Sequence, residues 1–175
     1  KAVIKSWPTL EKNGLVFVWQ DAEGNGPIPE QEPARKGDCY SGEWTDWQMA
    51  AIPIKSLGRE LVDNMADMAH FGPIHYSKVK SFKNTMKGHK FVQYMVGGHQ
   101  ILTEGDNGLI TSVATYEGPA YMTTTMTGLM DGHPMTTHLL VSHIPVDMNN
   151  FVINFGVMMK KDPNVSEAGN KAMVE

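Results

Sequence analysis

Seven stretches of the chain carry strand character, and one repeats apolar residues at helical spacing. Leu15 to Trp19 is a continuous apolar run stopped by Asp21 to Gly26, the pattern of a buried strand and a turn. Residues 24–42 hold three prolines and several glycines without periodicity and predict a loop or linker. Trp44 to Ile54 returns to strand character. From Leu57 to Ala69 the period changes: Leu57, Leu61, Met65 and Met68 fall on one face of a helix, which Gly72-Pro73 is expected to stop. Strands are then predicted over Phe91–Val96, Leu109–Glu117, Ala120–Met126, Thr137–Ile144 and Phe151–Met159. Turn clusters separate them, among them Gly105-Asp106-Asn107-Gly108 and Asp147-Met148-Asn149-Asn150. Turns this short force antiparallel pairing, because a parallel crossover needs a dozen or more residues. Ser166, with Glu167 and Ala168 behind it, predicts a cap and the start of a last helix. The expected class is α+β: a curved antiparallel sheet with one helix packed before it and another begun after it.

Composition narrows the function more than the fold. A length of 175 residues suits one domain, and 41% hydrophobic with 19% charged residues is ordinary for a soluble globular protein. A formal net charge of −4 offers no basic surface for nucleic acid and no polybasic tail for a membrane. The longest apolar runs are strand-length, well short of the ~20 residues of a membrane helix, so no span is expected. The chain starts without Met, lacks the pattern of a signal peptide, and begins at Lys1 on the approach to a strand, which implies a natural start further upstream. Its single cysteine, Cys39, permits no internal disulfide, so a reducing cytoplasm is the expected compartment. Thirteen methionines are the one departure; they serve as core filler or line a pocket for a bulky apolar ligand.

The chemistry concentrates in Asn64-x2-Asp67-x2-His70-x4-His75. Asp67 precedes His70 by one helical turn, so its carboxylate can take the N–H of the ring nitrogen that does not face a metal. His75 follows five residues later and would diverge by ~140° on an unbroken helix; the break at Gly72-Pro73 frees it to swing back. Two neutral imidazoles and a carboxylate with open positions suit Fe(II) and dioxygen. The plainer alternative is a pair of histidines capping carbonyls at a helix end.

The segment Asp63-Asn64-Met65-Ala66-Asp67-Met68-Ala69-His70-Phe71, with Ile74-His75, resembles the mononuclear-iron motif of Rieske non-haem iron oxygenases. Within that superfamily the chain looks most like the oxygenase components of 3-ketosteroid 9α-hydroxylases. The likeness extends to Gly14–Trp19, Glu43–Trp47, Gly88-His89, Gln93-Tyr94, Gly118-Pro119, His143 with Pro145-Val146, and Phe155–Val157. It implies that residues 1–21 are the last strands of a Rieske domain, 22–43 a linker, and 44–175 a catalytic domain truncated at its C-terminus. That catalytic domain would have the helix-grip fold of START-like lipid-transfer domains. His70 and His75 would be iron ligands, and Asp67, supported by Asn64, would carry electrons towards His70 from the cluster of a neighbouring subunit. Gln93, Tyr94, Met122, Thr124 and Val141 would line the substrate tunnel; Met122, Thr124 and Met126 share one face of a strand by the two-residue period.

The departures from the resemblance are equally specific. A Rieske [2Fe–2S] cluster needs two cysteines and two histidines, and this chain has one cysteine. The third iron ligand, an aspartate on a later helix, has no match in Asp131, Asp147 or Asp162. His89, His99, His133, His138 and His143 lack ligand spacing and are expected to be structural. The resemblance therefore implies a fragment, inactive alone, of a monooxygenase that hydroxylates a large apolar substrate, a 3-ketosteroid. The parent would use a mononuclear Fe(II), a ferredoxin reductase and a homotrimeric assembly. The alternatives are a Rieske oxygenase for aromatic or other apolar substrates and a non-enzymatic helix-grip module that binds lipid or steroid.

Overall fold

The computed structural model describes residues 4, 6–36, 41–101, 108–118, 120–130 and 132–175. A small hairpin of β1 (Thr9–Lys12) and β2 (Leu15–Val18) opens the chain. Seven strands then form one antiparallel sheet: β3 (Gln48–Ile54), β4 (Ser77–Lys87), β5 (Lys90–His99), β6 (Ile110–Glu117), β7 (Tyr121–Met130), β8 (His133–Asp147) and β9 (Asn150–Met159). Their order is β3-β9-β8-β7-β6-β5-β4. Strands take 51% of the described residues and helices 13%, which overturns the expected α+β helix-grip class: the molecule is mostly antiparallel sheet. Among the described residues the α-helices are α1 (Gly58–Asp63), α2 (Phe71–His75) and α3 (Glu167–Ala172), of six, five and six residues, beside one 3-10 turn at Pro29–Gln31. Cys39, Pro119, Asp131 and most of the Gly105–Gly108 turn lie outside the described residues.

The long helix expected over 57–69 ends at Asp63 for a local reason. Past that point the amides of Met65 and Ala66 bond carbonyls three residues back, at Val62 and Asp63, tightening the turn. Asp67 then spends a carboxylate oxygen on the Ala69 amide at 2.8 Å, the competition for backbone that makes Asp poor inside helices. Gly72-Pro73 does not stop a helix but lies within α2. Proline is tolerated there because first-turn amides have no intrahelical partner. Strand β4 went unpredicted: a register shift between Val79 and Ser81 interrupts its alternation, and lysines fill its exposed positions. Lysines on this edge strand discourage pairing with other chains.

One face of the sheet is covered by the N-terminal segment. The Asn13-Gly14 turn has φ of 56° and 71°, the conformation an Asn-Gly hairpin favours. Asn13 is also buried. Its amide donates to the Ala34 carbonyl (2.9 Å) and the Tyr121 hydroxyl (3.1 Å), and its oxygen accepts from the Lys36 amide (2.8 Å). It thereby ties hairpin, linker and sheet together. Phe17 meets Tyr121 edge-on with centroids 5.1 Å apart, while Val16 and Val18 remain exposed, so β2 buries one side and not both. Leu140, fully buried, anchors this face, and Trp44 stacks on His138 at 4.4 Å.

Burial, and secondarily the charge of Lys36, pushes His138 down from 6.5 to about 4. Between those values the unfolded chain binds the extra proton, so stability is present above pH 6.5 and lost as pH falls towards 4. At about 1.4 kcal/mol per pH unit this amounts to about 3 kcal/mol. Urea midpoints measured from pH 7 to 4.5 should fall steeply for the native chain and clearly less for His138→Gln. Equal pH slopes would show that His138 does not carry the acid sensitivity.

Candidate metal centre

The motif residues gather where the chain crosses the second face of the sheet. α1 touches β8 and α2 lies against β4, so the segment runs from one side of the sheet to the other. Helices of six and five residues are too short to persist alone. They are held by Met65, buried against Ala114 and Tyr116 with Val62, Phe91 and Met122 around it. Directly beneath, the buried Gln93 amide donates to the Met65 carbonyl, satisfying a backbone acceptor that the turn leaves free.

His70 and His75 are brought together, their ring centroids 5.2 Å apart at an interplanar angle of 70°. With a metal–nitrogen distance of ~2.1 Å, each centroid stands ~3.2 Å from the ion, so rings at a right or tetrahedral angle are ~4.5–5.2 Å apart. Two imidazoles sharing one ion would stand at about this separation, as do two rings in edge-on contact. Phe71 wedges beside both rings, 4.4 Å from His70 and 5.5 Å from His75, and rests on Phe82 at 5.9 Å. Asp67 Oδ2 lies 3.5 Å from His70 Nδ1, longer than a formed hydrogen bond, and that nitrogen is buried with no hydrogen-bond partner. This arrangement leaves Nε2 of His70 for a metal. Desolvation, and then the His70 charge, holds His75 below the ordinary histidine value of 6.5, favouring the neutral ligand form. Among the described residues no third histidine, cysteine or carboxylate joins the pair.

The other candidates divide between the two faces. Gln93 pairs with Ala114, Ala114 with Thr124, and Met122 with both Tyr116 and Val141, so these residues share the face that Met65 covers. Tyr94 points to the opposite face and is exposed. Asn64 caps the end of α1 and is exposed, its carbonyl accepting from the Asp67 amide at 3.3 Å. Gln93 is engaged with Met65. Sequence reasoning missed Phe71 as the wedge, though its place between the two histidines was a signal.

Over residues 18–175 the chain matches the family described as 3-ketosteroid 9alpha-hydroxylase C-terminal domain. It belongs to that family. A 3-ketosteroid-9-alpha-monooxygenase oxygenase component of Rhodococcus rhodochrous is 39% identical over 181 residues, covering 99% of this chain and 46% of its own length. The Mycolicibacterium smegmatis (strain ATCC 700084 / mc(2)155) protein of that name is 34% identical, covering 98% of this chain and 46% of its own. The chain thus spans about half the length of these curated relatives. Among solved structures, apo dicamba monooxygenase shares the fold with a TM-score of 0.67 at 13% identity, covering 98% of this chain and 53% of that one.

Two experiments check the geometry. Co(II), a spectroscopic stand-in for Fe(II), should bind once per chain, and His70→Ala or His75→Ala should weaken it at least tenfold; unchanged affinity in either variant would break the pairing. Gln93→Leu strands the Met65 carbonyl, at a cost of about 1–3 kcal/mol. It should lower the melting temperature and loosen Co(II) together, whereas a loss of neither would show that the sheet does not anchor the motif.

Proposed function

We propose that this chain is the iron-binding part of a Rieske-type monooxygenase that hydroxylates a 3-ketosteroid. The observation carrying the reading is the His70–His75 pair, spaced for one ion and set on the face of a sheet that belongs to this family. Bound there, Fe(II) would supply the activation of dioxygen for insertion into an unactivated C–H bond. His70 and His75 would hold the ion as neutral donors. Phe71 fixes their rings and sheds water from one side. Asp67, half-exposed beside His70, presents its charge where an electron donor on another subunit could approach, and Asn64 supports that exposed corner. Met122, Thr124 and Val141 would form the apolar floor under the substrate, with Gln93 holding the motif above it.

The [2Fe–2S] cluster, a further protein ligand and the contacts of a homotrimer belong in this reading to parts of the whole protein beyond these 175 residues. One cysteine cannot supply a cluster's ligands, and the relatives are about twice as long. Residues 1–21 are then the end of the cluster domain, 22–43 the linker and 44–175 the catalytic part. A ferredoxin reductase would supply electrons. No helix among the described residues is long and apolar enough to cross a membrane; a cytoplasmic location belongs to the proposal.

In the intact oxygenase with its reductase, a 3-ketosteroid should be hydroxylated with matching dioxygen uptake. Asp67→Asn should retain iron and lose most turnover, because the near-isosteric amide keeps the geometry and removes the charge; His70→Ala should lose the iron itself. Steroid binding without dioxygen uptake would overturn the oxygenase reading, and uptake only with small aromatic substrates would overturn the steroid.

A further inference from the structure

The net charge of −4 conceals a segregation along the chain. Between Asp67 and Glu104 stand five lysines, Lys78, Lys80, Lys83, Lys87 and Lys90, and no carboxylate, which leaves 10 basic against 19 acidic side chains elsewhere. All five lysines belong to the β4–β5 hairpin, at one edge of the sheet. The register sets Lys83 opposite Tyr94, Lys87 opposite Lys90 and Lys78 opposite Gly98, and the shift between Val79 and Ser81 keeps these residues on one side. That side faces away from the histidine pair, because Phe82, which meets Phe71, is the residue before Lys83. Glu117 neutralises Lys90 at 2.6 Å. Lys78, Lys83 and Lys87 are exposed, and no carboxylate among the described residues forms an ion pair with them. Beside them Tyr94 presents an exposed ring, with half-buried Val92 and Val96 two residues away on either side. The N-terminal segment meets this face further along, at Glu117, Tyr121 and His138 on β6, β7 and β8.

We propose that this lysine-bordered patch docks an acidic protein, the reductase that delivers electrons to the oxygenase. The identity of the partner rests on the oxygenase reading; the patch does not. At ~3.3 Å per residue the three free lysines span ~28 Å along β4, with one exposed aromatic ring beside them, a contact of modest size. Redox partners use small contacts of that kind, because the donor must arrive and leave at every turnover. Charges around such a contact act mainly on the rate of encounter, and the acidic excess over the rest of the chain disfavours other approaches of an acidic partner. A membrane is a poorer occupant. The N-terminal segment stands on the same face with Glu11, Glu23 and Glu30 exposed, and an anionic lipid surface would press on these carboxylates.

The test uses the intact oxygenase and its reductase. The combined variant Lys78→Glu, Lys83→Glu, Lys87→Glu should raise the KM for the reductase about tenfold or more at low salt, and should lose the increase of KM with salt that the native enzyme shows. One turnover of the chemically prereduced variant should give the native yield of product, which also shows that it folds. A second readout needs no substitution: acetylation of Lys78, Lys83 and Lys87 in the native enzyme should slow several-fold once the reductase is added. An unchanged KM in the variant, or acetylation rates unmoved by the reductase, would overturn the inference. So would dissociation of the variant's oligomer, which would make the strip a contact between subunits. Loss of binding to phosphatidylserine vesicles with the KM intact would overturn it too, in favour of a membrane contact. Failure of the prereduced native enzyme to hydroxylate any substrate would instead overturn the oxygenase reading, and the partner's identity with it.

Discussion

The two edges of the sheet govern everything else. β3 and β4 follow one another in sequence, yet they lie on opposite edges with five strands between them. At ~4.8 Å per strand the connection must cover ~29 Å across a flat sheet, less on a curved one. Residues 55–76 therefore cannot be a tight turn and must lie over the sheet face, where an apolar side chain can be buried and a polar backbone must find partners. The Asn64–His75 motif is carried by that crossing. Its two short helices take their positions from the sheet, through Met65 in the cluster with Ala114 and Tyr116 and through the Gln93 bond to the Met65 carbonyl.

This dependence explains the division of labour between the faces. The N-terminal hairpin and the segment that follows it to Trp44 cover one side through Asn13, Phe17 and the Trp44–His138 stack. The other side stays partly open, holding the histidine pair towards β4 and a cleft lined by Val62, Tyr116 and His143 towards β8. Sites built on strands and on segments docked to them keep their geometry better than sites on free loops. Between the two lie Thr124, Met122 and Val141, in adjoining cross-strand rows.

Much of this was legible in the sequence. The late strands follow from period and turn residues: β5, β8 and β9 contain the predicted runs, while β6 and β7 each begin one residue later than predicted. Ser166 caps α3 as expected, its hydroxyl accepting from the Gly169 amide. What escaped has identifiable causes. Helical spacing over 57–69 ignored the side chains at Asn64 and Asp67, which favour turns, so a long helix was expected where two short ones form, and the class was misjudged with it. β4 was hidden by its bulge and its lysines. Gln93 and Tyr94 both came from the family resemblance; the strand places them on opposite faces, Gln93 beneath Met65 and Tyr94 exposed. Asn13-Gly14 was a readable hairpin signal; the three hydrogen bonds of Asn13 were not, because they join residues as far apart as 13 and 121.

The central claim is that His70 and His75 hold one iron ion together. Pulsed EPR on the ferrous chain treated with nitric oxide counts the imidazole nitrogens coupled to the metal. Two inequivalent nitrogens in the native chain, falling to one in His75→Ala, are the predicted result. A native spectrum with one coupled imidazole or none would contradict the account.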